Sequence, residues 1–113
     1  MENHELRTSI EAEFSDAHSS RADGNEGRAR VCARRAAGLA LGQYYEHCLE
    51  KPSPTSAYVL LQWFSERAEI PQDLRDAASR LIVRVTPEYK LPHFEDPLED
   101  ARFLVKAILE GDV

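Results

Sequence analysis

The segment GNEGRARVCARRAAGLALG, residues 24–42, decides how this chain folds because it begins a helix with two apolar sides. At about 100° per residue, small and apolar residues fall into two groups on nearly opposite sides of that helix. The first group is Ala29, Cys32, Ala33, Ala36, Leu39 and Ala40, and the second is Val31, Gly38, Gly42, Tyr45 and Leu49. A surface helix has a single apolar stripe, so the two groups predict a helix over residues 27–50 at the centre of a bundle.

Two glycines lie inside this helix pattern. Gly38 and Gly42 each cost about 1 kcal/mol relative to alanine in a helix interior, so a packing reason is expected for both. The second apolar side therefore predicts close contact with another helix, either from the same chain or from a second copy of it. Cys32 and Cys48 would lie about 24 Å apart on one continuous helix, too far to form a disulfide.

Glycine and proline mark the ends of the other helices. Ser53 before Pro54 and Asp96 before Pro97 have the pattern of an N-cap followed by a first-turn proline. The predicted helices cover residues 2–22, 27–50, 54–69, 71–85 and 97–110. Because no segment alternates apolar and polar residues as a strand does, the fold class is predicted as all-α. The expected architecture is an antiparallel up-and-down bundle of about five helices, in one domain over residues 1–113.

One connection is predicted to be an ordered loop. Residues 86–95 contain two prolines and show no helical period. Tyr89, Leu91 and Phe94 are the apolar side chains available to hold this loop against the core.

The composition favours a globular protein outside the membrane. Hydrophobic residues make up 42% and charged residues 30% of 113 residues, which is typical of a folded domain. No apolar run approaches the roughly 18 residues of a membrane-spanning helix. The first residues, MENHELRTSIEAE, lack the basic and apolar regions of a signal peptide, so a cytoplasmic location is expected.

The charges are unevenly distributed along a chain of net charge −6. Residues 1–27 contain two basic and seven acidic residues, residues 28–50 four basic and two acidic, and residues 86–113 three basic and seven acidic. The favoured interpretation is that the arginines of residues 28–35 pair with acids of the first and last helices. The alternative is a separate phosphate-binding surface.

Three segments resemble the HEPN domain family. GNEGRARVCARRAAGLALGQYY is similar to that family's second helix, and IPQDLRDAASRLIVRV to its proline-started helix. TPEYKLPHFEDPLEDARFLVKAIL is similar to its tyrosine- and proline-bearing loop followed by the final helix. The resemblance covers residues 2–110. It implies an up-and-down helical bundle that often dimerises.

Catalytic HEPN proteins are metal-independent ribonucleases with an arginine that is followed, after four to six residues, by a histidine. None of the histidines at positions 4, 18, 47 and 93 follows an arginine at that spacing. The resemblance thus implies a non-catalytic binding or regulatory module that forms a dimer. It also implies a small nucleotidyltransferase as a partner, because some members of the family without the motif pair with such proteins. The alternative is a divergent, toxin-like ribonuclease that uses Arg84 with His93 or Tyr89.

Candidate ligand or interface residues come from the central helix and from the proline-containing loop. They are Arg34, Arg35, Tyr45, Arg84, Tyr89 and His93. A nucleotide or RNA is the ligand class that arginines with nearby aromatic rings would suit. The other aromatic residues of the second and third helices are predicted to be core, and no spacing of histidine and cysteine predicts a metal site or a cofactor.

Overall fold

The structure, a computed structural model, describes residues 3–84 and 91–113. These residues form five helices and contain no strand, which confirms the all-α prediction. The helices are α1 (Asn3–Ala22), α2 (Glu26–Leu49), α3 (Ala57–Ser65), α4 (Gln72–Leu81) and α5 (Pro97–Leu109). Helix α2 packs against α1, α3 and α5, while α4 packs against α3 and α5. The prediction that the second helix is central is therefore confirmed.

The first apolar group of α2 forms the middle of the core. Its alanines and Cys32 are fully buried, and Leu39 is half-buried at the edge. Phe14 of α1, Phe64 of α3 and Leu104 of α5 are the large side chains that enclose them. Cys32 and Cys48 are both free thiols, and burial raises the pKa of the Cys32 thiol. Helix α2 thus buries small side chains so that three helices can approach it closely.

Gly38 has the packing reason expected for it. A Cβ atom placed on Gly38 would lie 2.7 Å from the Cβ of Ala57, the first residue of α3. A Cβ on Gly42 would lie 3.3 Å from the Oγ of Ser53 in the connection between α2 and α3. The neighbour of both glycines is therefore the same chain, not a second copy.

Local capping sets two helix starts. The turn before α2 has Gly24 at φ +80°, and the Asn25 side chain accepts a hydrogen bond from the Arg28 N–H. The Asp96 carboxylate accepts a hydrogen bond from the Leu98 N–H, with Pro97 as the first residue of α5. The predicted Asp-Pro start of the last helix is confirmed.

Helices α3 and α4 are shorter than predicted. Ser56, not Ser53, caps α3 by accepting a hydrogen bond from the Val59 N–H, and α3 ends at Ser65, not Glu69. The Ser53 N–H instead donates to the carboxylate of Glu46, which keeps the connection against α2. Pro71 precedes α4 as its N-cap, and α4 ends at Leu81, four residues before the predicted end.

The loop prediction is only partly met by its described residues. Leu91 is half-buried, but Phe94 is 95% exposed, so the prediction that Phe94 holds the loop against the core is wrong. Asp96, two residues later, fixes the end of the loop through its hydrogen bonds, and Phe94 is not needed for that purpose. Tyr89 lies outside the described residues.

Candidate functional site

A groove of about 650 Å³ runs along one side of α2, between α1 and the beginning of α3. We call it the α2 groove. Leu6 and Glu13 of α1 line one wall, and Tyr58 and Leu60 of α3 line the other. Its floor comes from α2 and consists of Val31, Arg34, Arg35, Gly38, Leu39 and Gly42. The groove is open because small residues on α2 leave space where a larger side chain would fill it.

The apolar surface of this region extends beyond the groove. Val31 is 37% exposed and Tyr58 is 50% exposed, although both are large apolar or aromatic side chains. Val59, beside Tyr58 on α3, is 46% exposed. The prediction that Tyr58 belongs to the core, like the other aromatic residues of the second and third helices, is wrong. Tyr58 sits in the first turn of a helix that begins later than predicted, so it lies at the rim.

Arg34 is the partly buried charged residue in the floor of the groove. Its side chain is partly buried, and within the described residues it has no salt bridge and no hydrogen bond. Burial lowers the pKa of Arg34, and the positive charge of Arg30 lowers it further. An arginine remains charged despite such a shift, so the groove holds a cation without a counter-ion among residues 3–84 and 91–113.

The predicted pairing of the α2 arginines with acids of the terminal helices is wrong. Within residues 3–84 and 91–113, none of Arg28, Arg30, Arg34 and Arg35 forms a salt bridge. Acids of the terminal helices are indeed paired, but with arginines from other helices. The reason is geometric, because those other arginines lie closer to the acids and occupy their oxygens.

Three arginines form the ion pairs with acids at the terminal helices. Arg21 at the end of α1 binds both Asp96 oxygens at 2.8 and 2.9 Å and also binds Glu26. Arg80 of α4 binds the Asp100 carboxylate through two hydrogen bonds of 2.9 Å. Arg102 of α5 contacts Glu11 of α1 at 2.7 Å. These pairs connect helix to helix, whereas the arginines of α2 form no salt bridge within the described residues.

The structure brings together only some of the predicted site residues. Arg34 and Arg35 both line the α2 groove, while Tyr45 does not. The Tyr45 ring instead packs edge-on against Trp63, with 4.9 Å between ring centroids. Arg84 is exposed after the end of α4, and no described contact connects it with Arg34 or Arg35. Tyr89 lies outside the described residues, so its predicted role stays a prediction.

His93 lies at a different place in the fold. Its side chain is mostly buried, and its Nδ1 atom lies 3.8 Å from a carboxylate oxygen of Glu95. The same Glu95 carboxylate lies 3.8 Å from an Nη atom of Arg80. Both ring nitrogens of His93 are buried, and neither has a hydrogen-bond partner among the described residues. His93 therefore belongs to the α4–α5 end of the described structure, without a described contact to the groove arginines.

The other aromatic residues of α2 and α3 form an internal cluster, as predicted. Tyr44 packs against both Trp63 and Phe64, with centroid distances of 5.9 and 5.8 Å. The Arg67 guanidinium lies 4.6 Å from the Trp63 ring centroid in a cation–π contact. Because these rings already contact each other and Arg67, they form part of the packing around the core.

Comparison with family models, with curated proteins and with solved structures gave no match for this chain. Among the described residues, no group of three or more histidine, cysteine, aspartate or glutamate side chains could hold a metal ion. No described helix combines the length and apolar character needed to cross a bilayer. The α2 groove, with its unpaired Arg34, is therefore the strongest candidate site.

Proposed function

We propose that this chain is a non-catalytic, HEPN-like binding or regulatory module that docks a partner in the α2 groove. The observation that carries the proposal is the partly buried Arg34, which lies in the α2 groove beside apolar side chains and has no salt bridge among the described residues. A folded chain gains stability when such a charge is paired or moved to the surface, so an unpaired one at a groove marks a binding site.

The chemistry of the groove suits binding more than catalysis. General acid–base catalysis needs a group that titrates near working pH, and an arginine does not. The Glu46 carboxylate is already bound to the Ser53 N–H. Apolar side chains and fixed positive charge are instead the components of a docking surface.

The resemblance to the HEPN family supplies the kind of assembly that we propose. The module works as a homodimer, and one partner is a small nucleotidyltransferase-type protein. A protein partner is supported by the apolar surface that the described chain leaves uncovered at the groove. This surface includes the exposed side chains of Val31, Tyr58 and Val59.

The proposal is tested by purifying the tagged chain from its native host and identifying bound protein and RNA by mass spectrometry and sequencing. Light scattering on the same sample gives the number of copies in each complex. A dimer with a stoichiometric protein partner is expected. Arg34→Glu should reduce the amount of partner, whereas Arg28→Glu, an exposed arginine of α2 outside the groove, should leave it unchanged.

The same preparation tests the alternative ribonuclease function. Arg84 is exposed and could contact RNA, whereas both ring nitrogens of His93 are buried, so the side chain would have to move before it could act on RNA. Cleavage of RNA that disappears in Arg84→Ala and persists in Arg34→Glu, without any protein partner, would replace the binding-module proposal.

A further inference from the structure

We propose that the α2 groove binds one amphipathic helix of a partner protein, with a carboxylate of that helix paired to Arg34 and its apolar side chains against Val31 and Tyr58. This inference rests on the proposed function as a binding module. It adds the shape and the chemistry of the bound segment.

The groove has the dimensions of a missing helix. Its floor extends along α2 from Val31 to Glu46, about 22 Å at about 1.5 Å per residue. Helices α1 and α3 form the two walls, so a bound segment would lie in the position of a further helix of the bundle. A helix of about 15 residues, with apolar side chains at positions i, i+3, i+4 and i+7, matches this length and the helix-in-groove mode of recognition.

The exposed apolar side chains favour a protein segment over a small molecule. Tyr58 forms part of the groove wall, and its neighbour Val59 is exposed but does not line the groove. A small ligand inside the groove would leave Val59 in water. A helix that projects above the groove can cover Tyr58 and Val59 together, which removes more apolar surface from solvent.

The charges specify an acidic helix. Arg34 and Arg35 contribute two unpaired positive charges to the floor, and Arg30 next to them adds a third. One or two carboxylates on the bound helix would give Arg34 the counter-ion that it lacks in the part of the chain that the structure describes. Pairing in a groove that excludes water is worth more than pairing on an open surface.

Nucleic acid fits the same groove less well. The carboxylates of Glu13 and Glu46 line the groove together with the two arginines, so a polyanion would meet like charge there. The chain as a whole has a net charge of −6, which further opposes a nucleic acid. A helix with a few acidic side chains can place them at the arginines and keep them away from Glu13.

A second copy of the chain also fits less well. In a two-fold dimer centred on the groove, the same surface of both copies meets at the axis. Where the two-fold axis passes near Arg34 and Arg35, these arginines of one copy would approach the same arginines of the other copy. The partner that satisfies the groove is therefore a different protein.

The test selects helices directly. A display library of 15-residue helical peptides, with random residues on one face, is selected against the full-length chain. The enriched peptides are expected to carry Asp or Glu at one preferred position of an apolar face. Changing that carboxylate to its amide should weaken binding by roughly tenfold or more, since a partly desolvated charge pair is lost.

Variants of the protein locate the bound peptide. Arg34→Glu should weaken the best selected peptide by roughly tenfold or more, and an arginine at the preferred acidic position of the peptide should restore binding. Arg28→Glu has the same charge change outside the groove and should alter the affinity by less than about twofold. Tyr58→Ala should weaken binding, whereas Phe103→Ala, an exposed aromatic of α5, should not. If Arg34→Glu does not fold, the affinity of the peptide is measured with Arg34→Gln, which should also weaken binding.

Three results would overturn the inference. They are a library without enriched peptides, enriched peptides without an acidic preference, and peptides that bind Arg34→Glu as well as the unchanged protein. A native partner that Arg34→Glu still binds would likewise contradict the helix proposal and docking in the α2 groove, but it would leave standing a binding module that uses another surface. Loss of every native partner, with RNA cleavage present, would contradict the binding-module function itself.

Discussion

Gly38 shows how one residue determines the distance between two helices. A Cβ atom on Gly38 would meet the Ala57 Cβ at 2.7 Å, closer than two such atoms approach in proteins. Alanine is intrinsically favoured over glycine in a helix by about 1 kcal/mol. At this position the steric conflict outweighs that preference, because α3 would have to move away from α2.

We expect Gly38→Ala to lower the free energy of unfolding by about 1–2 kcal/mol, as overpacking usually does. The measurement is urea-induced unfolding followed by circular dichroism. Gly27→Ala is the matched control, because a Cβ there lies 3.8 Å from its nearest neighbour and has room. That variant should be as stable as the unchanged protein or slightly more stable. Equal stability of the two alanine variants would show that α3 does not approach α2 as described.

Arg80 and Asp100 form the most buried charged pair of the described residues. Asp100 is only 7% exposed, and both of its oxygens accept hydrogen bonds from Arg80. Replacing one partner leaves the other charge without compensation in a place that water hardly reaches.

Arg80→Met is expected to destabilise the protein by about 2–3 kcal/mol in the same unfolding measurement, because Asp100 stays buried and unpaired. Replacing both residues, as Arg80→Met with Asp100→Leu, should recover much of that loss. Arg28→Met, which removes an exposed and unpaired arginine, should change stability by no more than about 0.5 kcal/mol. A loss for Arg80→Met as small as for Arg28→Met would contradict the described pair.

Asp96 connects three helices at the beginning of α5. Its carboxylate caps α5 at the Leu98 N–H and binds Arg21, which also binds Glu26 of α2. The hydrogen bonds from Arg21 are the main cause that lowers the pKa of Asp96 below its usual value. Because the folded pKa is lowered, the stabilisation is complete above the usual pKa of about 4 and is lost as the pH falls through the folded pKa.

Two variants of Asp96 separate the cap from the ion pair. Asp96→Asn keeps a capping oxygen but removes the charge, so it should flatten the loss of stability between about pH 5 and pH 2. Asp96→Ala removes the cap as well and should cost about 1 kcal/mol more than Asp96→Asn at neutral pH. Unfolding midpoints of both variants, measured across that pH range and at neutral pH, give the acid dependence of stability and the difference in stability between the variants. An acid dependence of Asp96→Asn identical to that of the unchanged protein would contradict the role of the pair.

The helices whose ends depend on local capping could be predicted from the sequence. Asp96-Pro97 and the glycine-containing turn before α2 define helix ends through residues that are neighbours in sequence. The start of α3 was missed because Ser53 and Ser56 both have the composition of an N-cap. A tertiary hydrogen bond, from the Ser53 N–H to Glu46, decides between them. Sequence alone does not show that contact.

The ion pairs were missed for a related reason. Arg21 and Asp96 are 75 residues apart, and Arg102 and Glu11 are 91 residues apart. The charge of each segment indicates a basic second helix between acidic ends of the chain, but it does not indicate which arginine reaches which acid. Of the candidate site, Arg34 and Arg35 could be predicted, whereas the groove around them depends on where α1 and α3 cross α2.

Within the described residues, arginines of α1, α4 and α5 bind Asp96, Asp100 and Glu11 at the terminal helices, while the arginines of α2 form no salt bridge. Such an arrangement lowers stability slightly and leaves charge available for a ligand, as binding sites commonly do. Removing the charge of Arg34 therefore has opposite expected effects on the free energy of unfolding. Stability should fall if Arg34 pairs within the chain, and it should stay equal or rise if Arg34 belongs to a ligand surface.

The decisive measurement is the free energy of unfolding of Arg34→Met, which keeps an apolar side chain of similar length in the groove and removes the charge. We expect stability equal to that of the unchanged protein or up to about 1 kcal/mol higher, because a partly buried, unpaired cation next to Arg30 is removed. A decrease of a few kcal/mol would show that Arg34 pairs within the chain and would contradict the groove as a binding site.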